Sequence, residues 1–77
     1  MERNGLNYSM VNVVSRHGGY SFIVTSKYSD LSDYDIIEIC KYKGYFQEED
    51  DYEYAEIDNL VNDYDINHYK EFTYSID

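Results

Sequence analysis

Two short runs rich in β-branched and aromatic residues, Leu6 to Ser15 (LNYSMVNVVS) and Tyr20 to Ser26 (YSFIVTS), flank the sequence Arg16-His17-Gly18-Gly19. β-prone runs around a double glycine predict a β-hairpin, because a tight turn needs positive φ and glycine supplies it without steric cost. In the second run Tyr20, Phe22 and Val24 alternate with Ser21, Ile23 and Thr25, so one face is the more apolar. The first run is less regular. Tyr8 and Met10 share one phase and Val11 and Val13 the other, which fits either a bulge or a strand covered on both sides.

The pattern then changes period. Ser32 begins a Ser-Asp-Tyr-Asp sequence, a helix-start signal in which the serine oxygen caps free amides and the acids meet the positive end of the helix dipole. Ile36, Ile37 and Cys40 fall on one face of that helix, Lys41 and Lys43 in its last turn, and Gly44 at its stop. A second helix is expected from about Asp51 to Tyr64, where Tyr54, Ile57, Val61 and Tyr64 recur at helical spacing beside Leu60. Finally His68 to Ile76 alternates Lys70, Phe72, Tyr74 and Ile76 against Glu71, Thr73 and Ser75, a third strand that joins the hairpin. The expected fold is a single α+β domain: a small antiparallel three-stranded sheet with two helices on one face, in the order ββααβ.

Composition adds a constraint on the core. Seventy-seven residues without proline have room for only a thin core. Eleven tyrosines and three phenylalanines supply bulk while leaving hydroxyls at a wet rim. The single cysteine, Cys40, excludes an internal disulfide and fits a reducing compartment. The sequence has neither a secretory pattern nor an apolar stretch of membrane-spanning length, and a cytoplasmic location is expected.

Charge changes the picture more. The net charge is -10, but residues 1–29 carry +2 and residues 30–77 carry -12. The stretch EEDDYEYAEIDNLVNDYD, from Glu48 to Asp65, holds nine carboxylates and no lysine or arginine. Such a block repels itself, so it is either a solvated face or a surface for a basic partner, and it argues against direct binding of nucleic acid or an anionic membrane. Catalysis finds little support. His17 and His68 are far apart, Cys40 sits on a core-facing helix side, and solvated carboxylates lack the raised pKa that acid catalysis needs. No enzyme activity, cofactor or specific metal site is expected: the segment Asp58 to Asp65 has oxygen ligands but neither the central glycine nor the spacing of a calcium loop.

An acidic surface can also serve as a ligand. Carboxylates held at spacings comparable to phosphates can occupy a DNA-binding groove, with tyrosine rings packing on its arginines. The hairpin, the capped helix, the segment Lys43-Gly44-Tyr45-Phe46-Gln47-Glu48-Glu49, the acid and tyrosine rich stretch and the closing Phe72-Thr73-Tyr74-Ser75-Ile76 together resemble the small phage-encoded anti-CRISPR proteins that inhibit Cas9. That resemblance implies DNA mimicry against the pocket that reads the protospacer-adjacent motif, which uses arginines. The residues expected to stand in for phosphates are Glu48, Glu49, Asp50, Asp51, Glu53, Glu56 and Asp58, then Asp33, Asp35, Asp63 and Asp65, with Tyr45, Tyr52 and Tyr54 as contact aromatics. The rival expectation is a small structural or regulatory module that pairs through a sheet edge or aromatic patch, its acids serving solubility.

Overall fold

A computed structural model describes residues 2–16, 18–46 and 52–77. The hairpin is present: β2 (Leu6–Ser15) and β3 (Gly18–Ser26) pair antiparallel from Asn7↔Ser26 to Ser15↔Gly18. A two-residue strand β1 (Glu2–Arg3) folds back on the start of β2. Gly18, at φ 116°, occupies backbone space closed to most side chains, and the Ser15 hydroxyl donates to its carbonyl at 2.8 Å.

α1 (Asp33–Tyr42) matches the expected first helix. Ser32 is its N-cap, accepting from the Asp35 amide while the Asp35 carboxylate accepts from the Ser32 amide. Gly44 follows the helix at φ 76°.

From there the structure departs from expectation. The predicted second helix is instead a strand, β4 (Tyr52–Asp58), followed by a separate short helix, α2 (Asp63–His68). β4 pairs antiparallel with the free edge of β2, setting Ile57 beside Val11 and Ala55 beside Val13. These residues alternate at period two, and that pairing outweighs the helical spacing that Tyr54, Ile57 and Val61 also satisfy. β2 is covered on both faces, with Val11 and Val13 in one core and Met10 in the other, and this explains its irregular pattern. Its ladder with β3 is unbroken, and the register shift against β4, between Val14 and Ser15, lies beyond those residues.

The predicted third strand, His68 to Ile76, contracts to β5 (Thr73–Ser75), because α2 and a 3-10 turn (Lys70–Phe72) take up the residues before it. β5 runs parallel to β3, Ile23 opposite Thr73. The sheet is therefore mixed, with four strand positions in the order β4-β2-β3-β5 and β1 sharing the β4 side of β2. It is not three-stranded and antiparallel, and the order after β1 is ββαβαβ.

Nor do the helices share a face. α1 packs over Val11, Val13, Phe22 and Val24 with Ile36, Cys40, Phe46 and Ile76, while Val61, Ile66 and Tyr69 cover Met10 and Ile23 on the reverse. The connections explain the split. β3 to β4 crosses the sheet in one direction and β4 to β5 crosses back, and parallel crossovers nearly all share one hand, so opposed crossovers place their helices on opposite faces.

Candidate protein-binding surface

The topology collects carboxylates at one end of the sheet. β3, β4 and β5 all run toward that end, and β2 starts from it. The chain leaving β3 carries Asp30 into the first turn of α1, the chain leaving β4 carries Asp58 into α2, and Asp77 follows β5. Leu31 and Ile36 share a cavity of about 190 Å³ with Asn7, Ser9 and Asn59, which places the first turn of α1 at the same end.

Each helix begins with the same device. Ser32-Asp33-Tyr34-Asp35-Ile36 and Asn62-Asp63-Tyr64-Asp65-Ile66 both form capping boxes, in which Asp35 and Asp65 bind the backbone of their N-cap residues. Local chemistry requires this: the first-turn amides lack partners, and negative charge beside them is stabilised by the helix dipole. Ile36 turns into the larger core and Ile66 packs on the smaller one. What remains outside is an aspartate-tyrosine pair on each face, with Tyr34 71% and Tyr64 72% exposed. Tyr64 also stacks on His68, ring centroids 5.7 Å apart.

The acids differ in their commitments. Asp63 pairs with Arg3 at 2.7 Å, an exposed bridge, and Asp58 accepts from the Leu60 amide at 2.8 Å. Asp77 accepts from the Ser26 hydroxyl and the Lys27 amide. Glu56 and Asp58 lie on the same side of β4, roughly 6.8 Å apart along an extended strand. Tyr54 continues that row, half-exposed.

Measured against the expected site, the structure brings Asp33, Asp35, Asp58, Asp63 and Asp65 to one end, with Glu56 and Tyr54 further along β4. Tyr45 lies elsewhere: its ring stacks on Tyr74 at 4.5 Å and its hydroxyl donates to the Ser75 carbonyl. Glu48, Glu49, Asp50 and Asp51, with the side chains of Tyr52 and Glu53, lie outside the described residues. Tyr34 and Tyr64 were absent from the expected contacts, although the repeated Asp-Tyr-Asp-Ile sequence marks them.

The cavity at this end has a floor of Val24, Leu31, Ile36 and Ile76 and a rim of Asn, Ser and Tyr side chains. The Ser9 hydroxyl donates to Asn59 Oδ1 across it at 2.6 Å. Cys40 is fully buried against the α1 face, where desolvation pushes its thiol up to about 12, while His68 is exposed on α2 across the sheet. The two are therefore not brought together. Among the described residues no group of three or more His, Cys, Asp or Glu side chains is placed to hold a metal ion, and no helix is long and apolar enough to cross a membrane. Comparison with protein-family models, with curated proteins and with solved structures finds no match for the chain.

Proposed function

We propose that this protein is an inhibitor that occupies the basic nucleic-acid groove of a defence protein by mimicking DNA, with a CRISPR effector such as Cas9 as the target. The observation that carries this reading is the pair of Asp-Tyr-Asp heads on opposite faces of one sheet end, joined by Asp58 and Glu56 along the strand between the crossovers. Capping boxes hold both heads rigid, so their carboxylates are presented without the entropy loss that a floppy acidic tail suffers on binding. Arginine and lysine in a DNA groove are spaced for phosphates, and carboxylates satisfy the same fork geometry. The exposed Tyr34 and Tyr64 rings offer faces on which guanidinium groups stack.

The test is capture of guide-loaded Cas9 on the immobilised protein, with target DNA as competitor and salt varied. Capture is expected to fall with rising ionic strength and with competing DNA. The Asp33→Lys/Asp63→Lys variant, which spares both capping aspartates, is expected to lose capture while keeping its circular dichroism spectrum. Absence of capture from the folded wild type retires Cas9 as target, and the same assay then passes to other guide-loaded CRISPR effectors. Capture indifferent to salt, to DNA and to the double substitution would overturn mimicry.

A second reading has its own observation: among the described residues β4 is an edge strand, paired only with β2. A module of that kind binds through backbone hydrogen bonds and apolar contact, and its affinity is nearly insensitive to salt.

A further inference from the structure

β5 pairs with β3 only along Ile23–Thr25, and the ladder stops there. At this step in the sheet edge lies a notch of about 260 Å³ lined almost wholly by aromatic rings. Tyr20 and Phe22 lie nearly parallel at 21°, Tyr45 and Tyr74 at 16°, and Phe22 meets Tyr74 at 72°. Two aromatic walls thus meet almost at a right angle. Tyr69 and the half-exposed Phe72, at the end of α2 and in the 3-10 turn, close a third side, and Ser21 is the one lining residue without a ring.

The lining holds no charged side chain, and the chain as a whole carries a net charge of -10. Such a field repels anions and concentrates cations, while the negative faces of converging rings attract a cation that is shed of water. A guanidinium fits these terms best, being flat enough to stack and weakly hydrated, whereas an ammonium keeps its water more firmly. The protein already places one cation on a ring, Lys27 Nζ lying 5.5 Å from the Tyr28 centroid. We propose that the notch receives the guanidinium of an arginine side chain from the basic partner. The identity of that partner rests on the mimicry reading; the chemistry of the notch does not.

The experiment follows tyrosine and phenylalanine ring resonances by NMR while N-acetyl-arginine N-methylamide is added to the full chain. The citrulline analogue, of the same shape but neutral, and tetramethylammonium run in parallel. Saturable shifts at Tyr20, Tyr45 and Tyr74 are expected with arginine, and binding of citrulline is expected to be roughly tenfold weaker. Phe72→Ala, which removes a half-exposed ring, is expected to weaken arginine binding several-fold without changing the circular dichroism spectrum. Equal binding of citrulline, tighter binding of tetramethylammonium, or no shift with arginine would overturn the proposal. If arginine binds the notch while no basic nucleic-acid-binding protein is captured, mimicry falls and the arginine site stands. If capture succeeds while arginine leaves the notch resonances unmoved, the notch proposal falls alone.

Discussion

Replacing Ile23 by alanine tests the two-faced architecture directly. Ile23 is fully buried on the α2 side, opposite Met10 on β2 and Thr73 on β5, and it clusters with Met10 and Val61. If both helices lay on the α1 face, this side of the sheet would meet water and the substitution would cost little. In the observed fold Ile23→Ala removes three carbons from a packed site. At about 0.8 kcal/mol per buried methylene the transfer loss is roughly 2.4 kcal/mol, and incomplete collapse around the void raises it to about 3 kcal/mol. A chain of this length has roughly 4–12 kcal/mol of stability in all, so the loss is large. With a urea m-value of ~1 kcal/mol/M for so small a domain, the midpoint should fall by about 3 M. Far-UV circular dichroism during urea unfolding reads this, with Ile36→Ala, on the buried side of α1, as the comparison from the other face. A loss below about 1 kcal/mol at Ile23, beside a full loss at Ile36, would refute a second core under α2.

The remaining predictions concern caps, backbone, thiol and charge. Ser32→Ala and Asn62→Ala each remove an N-cap acceptor and are expected to cost about 1 kcal/mol in urea unfolding. Gly44→Ala meets no neighbour within 4 Å but forces φ 76° on a side chain, and a loss of about 1 kcal/mol in the same assay is expected from backbone strain alone. Burial raises the Cys40 thiol from 9.0 to about 12, so the fold favours the protonated form. Its contribution is complete below pH 9 and is lost as pH climbs toward 12, and Cys40→Val should flatten that part of an alkaline unfolding curve. Because the acids repel one another, added salt should raise the thermal midpoint of the wild type and do so less for Asp33→Lys/Asp63→Lys.

Several features were legible along the chain itself. The alternating residues and Gly18, the first residue of β3 and the one with positive φ, marked the hairpin, and Ser32 with the acids after it marked the start of α1, because turns and caps are decided within a few residues. The acid-flanked tyrosines Asp33-Tyr34-Asp35 and Asp63-Tyr64-Asp65 stand in the sequence too, but their meeting at one end of the sheet, on opposite faces, depends on the crossovers.

Tertiary structure decided the rest. Residues 52–64 satisfy a helical period through Tyr54, Ile57 and Val61 and a strand period through Ala55 and Ile57, so their local pattern is degenerate. The open edge of β2 broke the tie, since backbone pairing and the contacts of Val11 and Val13 are available only to a strand. Once β4 lay beyond β2, the chain had to cross back to reach β3. That return set β5 parallel, placed α2 on the reverse face and carried the second Asp-Tyr-Asp motif to the end already occupied by the first. Charge, caps and turns are properties of neighbouring residues, whereas faces and ends of a sheet exist only after distant strands have paired.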